Sequence, residues 1–173
     1  VPRSKYSILY EVDDRLEEVL HDLLKGYDNY ELIIGDFLKR DIKDDLIGYS
    51  YSKLYVVANL PYYITTPIIM KFISEGVFPD KMIIMVQKEV ADRFSSLPGS
   101  RNYGSVTVFL NYFYDIRKLF DVSKNCFLPK PNVDSSVIEM RLKTNRLYLS
   151  DIDMFRRVVK DSFSLKRKTI KND

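Results

Sequence analysis

A polar amide, a proline and an aromatic residue follow the apolar run Leu54–Ala58, in the order Asn59-Leu60-Pro61-Tyr62. Such a run is typical of a buried parallel strand, and ligands of open α/β sheets bind at the carboxyl ends of strands. A carboxamide oxygen and a proline carbonyl can accept the two N–H bonds of an exocyclic base amine, and a tyrosine can stack on the base. These residues fit methyl transfer to such an amine, although Asn-x-Pro is also ordinary turn chemistry.

The wider sequence carries a family resemblance. Residues 57–72, 86–93, 102–105, 127–137 and 163–172 are collinear with, and resemble, the bacterial small-subunit rRNA adenine N6,N6-dimethyltransferases. The resemblance implies that Asn59, Leu60, Pro61 and Tyr62 are catalytic. It implies S-adenosylmethionine as the methyl donor, no metal, and a partner that is small-subunit rRNA in a pre-30S ribosomal particle. The related macrolide-resistance methyltransferases usually read Asn-Ile-Pro-Tyr, so Leu60 favours the ribosome-biogenesis enzyme.

Composition sets the broad class of the protein. The chain has 173 residues, of which 46% are hydrophobic, which fits one domain or one domain with a small appendage. No stretch of eighteen apolar residues occurs, so we expect no membrane span. Cys126 and His21 are the only residues of their types, so we expect neither a disulfide nor a Cys/His metal cluster. A cytoplasmic monomer is the simplest interpretation.

The hydrophobic periodicity predicts that strands and helices alternate. This order indicates an α/β fold with a doubly wound, Rossmann-like sheet, mostly parallel with an antiparallel edge pair. The resemblance implies that this is the sheet of S-adenosylmethionine-dependent methyltransferases. We predict strands at 6–12, 31–34, 54–58 and 81–86, helices at 13–25, 66–74 and 105–111, and an antiparallel pair at 117–122 and 133–142.

The glycines bear on the cofactor. None of the six is separated from another by a single residue, so the chain lacks the glycine loop that cradles cofactors in such folds. The resemblance places that motif upstream of Glu11 and a small helical domain beyond the last residue. We therefore expect an N-terminally truncated methyltransferase domain at 1–148 and the start of a truncated helical domain at 149–173. A catalytically inactive RNA-binding fragment remains an alternative.

Acidic residues follow two of the predicted strands. An acid at such a strand end can accept hydrogen bonds from ribose hydroxyls. By resemblance, Glu11 binds the ribose of S-adenosylmethionine and Val12 packs on its adenine. Asp36 accepts a hydrogen bond from the adenine amino group, and Phe37 lies near the adenine ring. The resemblance also places Asn59 beside the cofactor. Gly35-Asp36 by itself is equally compatible with a simple turn.

Two further features concern the RNA. Phe127 begins a Pro-rich loop that the resemblance places beside the target base, with Phe127 opposite Tyr62. The segment 151–170 is predicted to be a helix with Phe155, Val158 and Val159 turned inward. Its cations would then share a polar face that fits phosphates, although charged faces are usually just solvated. The predicted RNA-binding residues are Arg156, Arg157, Lys160, Lys166, Arg167 and Lys168.

Overall fold

The computed structural model describes residues 1–164. The predicted RNA-binding residues Lys166, Arg167 and Lys168 therefore lie outside the described residues. The described chain forms two compact units. The first contains Val1–Tyr49 and Thr66–Val77, and the second contains Ser50–Thr65 and continues from Phe78.

The first unit is built on two parallel strands joined by a helical crossover. The strands are β1 (Ser7–Glu11) and β2 (Tyr30–Ile34), and Glu11 is aligned with Ile34. Its helices are a 3-10 helix at Asp14–Leu16, α1 (Glu17–Leu24), a 3-10 helix at Phe37–Lys39, α2 (Ile42–Leu46) and α3 (Thr65–Ser74), which enters the unit at Thr66. The buried apolar residues of the unit include Ile42, Ile68, Ile69, Phe72 and Ile73.

The second unit contains a four-stranded sheet in the order β3-β4-β6-β5. Its strands are β3 (Tyr55–Asn59), β4 (Lys81–Gln87), β5 (Tyr114–Val122) and β6 (Ser135–Leu142). β3 runs parallel to β4, whereas β6 runs antiparallel to both β4 and β5. Met82, Ile84 and Val86 alternate along β4 and are fully buried, because successive side chains of a strand point to opposite faces.

Within the described residues, three α-helices complete the second unit: α4 (Lys88–Phe94), α5 (Ser105–Phe113) and α6 (Ile152–Ser162). The ring of Phe155 in α6 stacks on that of Phe109 in α5, with 5.7 Å between centroids. Val159 is buried, but Val158 is 55% exposed, so the prediction that Val158 turns inward was wrong. The helix was also predicted to continue through Phe163 and Ser164, but these two residues form a turn; the rest of the predicted range, 165–170, lies outside the described residues.

The predicted α/β class, with parallel strands and an antiparallel edge pair, is confirmed. In residues 1–164 the six strands form two sheets, one of two strands and one of four. No helix in this part of the chain has the length and apolarity needed to cross a membrane. The proposed domain boundary after residue 148 stays a prediction.

Candidate active site

The carboxyl ends of β1 and β2 carry the first predicted cofactor residues, within the first unit. Glu11 ends β1, and its backbone carbonyl accepts the N–H of Gly35 at 2.7 Å. Its side-chain Oε1 accepts the N–H groups of Val12 at 2.8 Å and Asp13 at 2.9 Å. Oε2 accepts no hydrogen bond from residues 1–164. One carboxylate oxygen is thus fixed by the backbone, and the other is open to a ligand hydroxyl.

As in Glu11, one carboxylate oxygen of Asp36 accepts a backbone hydrogen bond and the other accepts none from residues 1–164. Asp36 is the N-cap of the 3-10 helix at Phe37–Lys39, and its Oδ1 accepts the N–H of Leu38 at 2.9 Å. Oδ2 has no hydrogen-bond partner within the described part of the chain. Gly35 has φ of +147°, a conformation that favours glycine and turns the chain into Asp36. The turn interpretation and the cofactor interpretation are therefore compatible, because each uses a different oxygen.

The apolar neighbours of these carboxylates differ in exposure. Val12 is 65% exposed at the end of β1. Phe37 is half-buried, and its ring contacts Tyr10 edge-on at 4.8 Å and Phe72 at 5.5 Å between centroids. Phe37 is thus held by other rings of the first unit, whereas Val12 presents an apolar surface that a ligand ring can cover.

A buried carboxylate, which the sequence analysis did not identify, holds the tyrosine that contacts Phe37. The Asp45 side chain is 2% exposed and pairs with the guanidinium of Arg40. Asp45 also accepts the hydroxyl of Tyr10 at 3.0 Å. Hydrogen bonds from Arg40 hold the pKa of the Asp45 carboxyl below its usual range. Burial, followed by the hydrogen bond to Asp45, raises the pKa of Tyr10, so Tyr10 stays protonated and donates.

The end of β3, in the second unit, presents hydrogen-bond acceptors. Asn59 is the last residue of β3 and is exposed, and its carboxamide makes no hydrogen bond to residues 1–164. The Pro61 carbonyl accepts the N–H of Ile64 at 3.1 Å and the Thr65 hydroxyl at 3.4 Å. The proline carbonyl that we expected to accept from the base amine is therefore engaged in starting a helix. The Leu60 carbonyl is the adjacent acceptor with no partner in the described chain.

Tyr62 is tied to the strand that follows the Pro-rich loop. Its hydroxyl shares a hydrogen bond of 2.8 Å with Oγ of Ser135, the first residue of β6. Phe127 is half-buried and follows a 3-10 helix at Lys124–Cys126. Both residues are half-buried, and neither ring pairs with another ring in the described residues.

The Pro-rich loop is closed at a neck formed by Lys124 and Asp134. Oδ1 of Asp134 accepts the N–H of Lys124 at 2.9 Å, and its backbone carbonyl accepts the N–H of Lys88 at 3.0 Å. A cavity of about 420 Å³ lies at this neck and contains none of the predicted catalytic residues. It is lined by Gln87, Lys88, Glu89, Asp92, Lys124, Val133 and Asp134.

The predicted RNA-binding cations of α6 are displayed to solvent. Arg156, Arg157 and Lys160 are all exposed, and none forms an ion pair with a residue in the range 1–164. Opposite them, Phe155 contacts Tyr112 at 5.0 Å and Phe109 at 5.7 Å between centroids. The helix is therefore fixed by its apolar side while these three cations stay accessible. No group of three or more His, Cys, Asp or Glu residues in this part of the chain could hold a metal ion.

Comparison with known proteins relates this arrangement to a family. The sequence profile of the family described as ribosomal RNA adenine dimethylase matches residues 1–173. The chain is 40% identical over 171 residues to the Ribosomal RNA small subunit methyltransferase A of Listeria welshimeri, an alignment that covers 96% of this chain and 58% of that relative. It is 41% identical over 174 residues to the Bacillus licheniformis protein of the same name, covering 99% and 60%.

Solved structures show the same fold. A dimethyladenosine transferase from Plasmodium falciparum superposes with a TM-score of 0.84 at 31% identity, over 99% of this chain and 60% of that chain. The 23S rRNA methyltransferase ErmE superposes with a TM-score of 0.72 over 91% of this chain and 61% of that chain. At 22% identity, the second likeness shows the fold alone. The chain spans about three-fifths of the length of the curated relatives it matches. Because the family profile covers every residue of the sequence, the chain belongs to the ribosomal RNA adenine dimethylase family.

Proposed function

We propose that the protein transfers methyl groups from S-adenosylmethionine to the N6 amine of adenines in small-subunit rRNA, twice on each nitrogen, during ribosome biogenesis. The observation that carries the proposal is the Asn59 carboxamide at the end of β3, exposed and without a partner in residues 1–164. The chain that carries it belongs to the ribosomal RNA adenine dimethylase family. The next residue is Leu60, whose carbonyl also accepts no hydrogen bond from residues 1–164. Together the two oxygens supply the two acceptors that an exocyclic amine requires.

These acceptors address the chemical difficulty of the reaction. The lone pair of an exocyclic amine is delocalised into the base and is a weak nucleophile. Hydrogen bonds from its two N–H groups to Asn59 and Leu60 help to localise that lone pair on nitrogen. Tyr62 and Phe127 offer the aromatic faces that would replace the stacking lost when a base leaves its RNA helix. Catalysis would then rest on positioning and hydrogen bonding.

The first unit supplies acceptors for the cofactor. Oε2 of Glu11 would accept from ribose hydroxyls, and Oδ2 of Asp36 from the adenine amino group, while Val12 and Phe37 provide apolar contact. When bound, S-adenosylmethionine supplies an electrophilic methyl group to the attacking nitrogen. Two hydrogen-bond acceptors and two apolar side chains fit the nucleoside half of S-adenosylmethionine.

The RNA partner is supported by α6. Arg156, Arg157 and Lys160 place three exposed cations on a helix that is fixed through Phe155, which fits sequence-independent phosphate contacts. We propose a small-subunit rRNA substrate within a pre-30S particle, a cytoplasmic location and a monomer. The names of the curated relatives refer to the small ribosomal subunit and support this substrate over the large-subunit rRNA of macrolide resistance.

The test is methyl transfer in vitro by the protein expressed at the full length of its natural gene. Unmethylated small-subunit rRNA, large-subunit rRNA and free DNA are each incubated with S-adenosylmethionine, and N6,N6-dimethyladenine is measured by mass spectrometry. We expect the product in small-subunit rRNA alone. Product in large-subunit rRNA would support the macrolide-resistance alternative. The 173-residue chain is assayed in parallel, and RNA binding without methylation by that chain would support the RNA-binding alternative.

A further inference from the structure

We propose that Ser135 is a positioning residue for the reaction, and that it acts by fixing the ring of Tyr62 against the target base. The proposal rests on the proposed function and concerns a residue that the sequence analysis did not assign to the site. Its basis is the 2.8 Å hydrogen bond between the Ser135 hydroxyl and the Tyr62 phenol. The two residues lie 73 positions apart in the sequence.

Ser135 is a rigid point of attachment. It is fully buried, and its strand, β6, lies between β4 and β5. Ser135 is aligned with Gln87 of β4 and Val122 of β5. The backbone that carries its hydroxyl is therefore held on both sides. A serine hydroxyl can donate and accept, so it can satisfy the phenol in either direction.

Tyr62 needs such an attachment. It begins a 3-10 helix of only three residues, Tyr62–Ile64, and its ring stacks on no other ring among the described residues. The backbone holds one end of the side chain, and the hydrogen bond to Ser135 holds the other. Together they restrict the ring to one plane before a base arrives. A stacking surface that is already oriented contributes to rate because the base need not reorganise it.

The adjacent residue performs the corresponding task for the Pro-rich loop. Asp134 closes the neck of that loop through Lys124, and the loop carries Phe127. Asp134, directly before β6, and Ser135, its first residue, thus restrain the two elements that carry the predicted base-stacking rings. The chain at residues 134–135 therefore fixes the positions of both elements of the proposed base site.

Ser136 provides a matched control. Like Ser135 it is fully buried in β6, and its hydroxyl donates one hydrogen bond, to Oδ1 of Asp121 at 2.6 Å. Ser136→Ala removes the same group from the same strand at the same burial. Ser136 makes no hydrogen bond to Tyr62. Any general effect of removing a buried serine hydroxyl should therefore appear in both Ser135→Ala and Ser136→Ala.

The experiment is a double-mutant cycle on the protein at its natural length. Ser135→Ala, Tyr62→Phe, the double variant and Ser136→Ala are compared in kcat and KM on unmethylated small-subunit rRNA. We expect Ser135→Ala and Tyr62→Phe each to lower kcat about tenfold with little change in KM, because orientation at the reacting atom is lost. The double variant should match the single variants, since all three lose the same bond. Ser136→Ala should keep kcat within about twofold of wild type.

A second measurement does not depend on turnover. Aromatic NMR signals of Tyr62, assigned by comparison with Tyr62→Phe, should shift in Ser135→Ala and stay in place in Ser136→Ala. Multiplicative losses of kcat in the double variant, equal losses in both serine variants, or unchanged Tyr62 signals would each overturn the proposal. A wild-type protein that methylates no RNA would refute the proposed function instead, and the NMR comparison would still decide whether Ser135 orients Tyr62.

Discussion

Asp36 caps the short helix after β2 by accepting the N–H of Leu38 through Oδ1 at 2.9 Å, while its second oxygen has no partner within residues 1–164. Asparagine caps a helix about as well as aspartate, but its second side-chain atom is a donor where aspartate has an acceptor. The cap and the proposed contact with the adenine amino group can therefore be separated by one substitution.

We expect Asp36→Asn to lower the affinity for S-adenosylmethionine about tenfold, because a hydrogen bond to a charged group contributes about 1.5–3 kcal/mol. The midpoint of thermal unfolding should stay near that of wild type. Asp41 caps α2 in the same way, through Lys43 and Asp44, so Asp41→Asn is the control and should bind normally. Calorimetric titration measures both, and equal affinities in the two variants would argue against a role for Asp36.

We expect Asn59→Ala to reduce methyl transfer by about a hundredfold or more, as for other positioned acceptors and donors that act in a transition state. RNA affinity should be unchanged, since a neutral amide adds little to phosphate contacts. Single-turnover rates and RNA binding are measured together on the natural-length protein. Asn145→Ala, at another exposed position, is the control, and a normal rate for Asn59→Ala would remove the central residue of the proposal.

We expect charge reversal at Arg156, Arg157 and Lys160 to weaken RNA binding similarly for all RNA sequences, because phosphate contacts carry no sequence information. Each lost contact should flatten the slope of log affinity against log salt by roughly 0.7–0.9. The affinity for S-adenosylmethionine should not change. A control with the same change in net charge reverses three exposed lysines of the first unit, Lys5, Lys25 and Lys43. Matching salt slopes for the two triple variants would mean that α6 is only a solvated face.

We expect Asp45 to contribute to acid unfolding. Its pKa is lowered in the folded protein by hydrogen bonds from Arg40, so its stabilising effect is fully present above the ordinary carboxyl pKa of about 4. The effect is lost as the pH falls through the lower folded value. Between pH 6 and pH 3, wild type should therefore lose more unfolding free energy than Asp45→Asn, as measured by urea titration. Asp44→Asn, at an exposed position of the same helix, should follow wild type, and a wild-type-like curve for Asp45→Asn would contradict the assignment.

We expect the buried Tyr114 and the half-buried Tyr10 to respond differently to loss of the hydroxyl. The Tyr114 hydroxyl is buried with no hydrogen-bond partner in residues 1–164, so Tyr114→Phe should leave the unfolding free energy unchanged or raise it by up to about 1 kcal/mol. The Tyr10 hydroxyl donates to the Asp45 carboxylate, so Tyr10→Phe should cost about 1.5–3 kcal/mol. Chemical denaturation compares them, and a large loss of stability in Tyr114→Phe would reveal a partner for its hydroxyl.

The strand ends were accessible to sequence analysis because hydrophobic patterning is local. The apolar run before Asn59 predicted the position of β3, but the expectation that this strand is buried was wrong, since Tyr55 and Val57 are exposed. The strand at 6–12 was placed within one residue of β1 at each end. The parallel pairing of these strands with their neighbours follows from the alternation of strands and helices. Residues at the carboxyl ends of strands could therefore be chosen as candidates before any geometry was known.

The partners of these candidates were not accessible in the same way. Tyr10 and Asp45 are 35 positions apart, and Tyr62 and Ser135 are 73 positions apart. Such pairs depend on how elements pack, and no periodic pattern encodes them. Val158 is a further example. Helical spacing placed it on the apolar stripe of α6, but it is exposed, whereas Val159 is buried and the ring of Phe155 stacks on Phe109 of α5.

The neck of the Pro-rich loop has a consequence for how the sequence can diverge. Asp134 closes the loop by accepting the main-chain N–H of Lys124, a group that every residue except proline provides. Leu128 and Lys130 near the tip are exposed and take no part in this closure. Substitutions of these two side chains are therefore expected to leave the hydrogen bond at the neck, and the strand that follows it, in place. The closure of the loop and the side chains at its tip therefore depend on different residues.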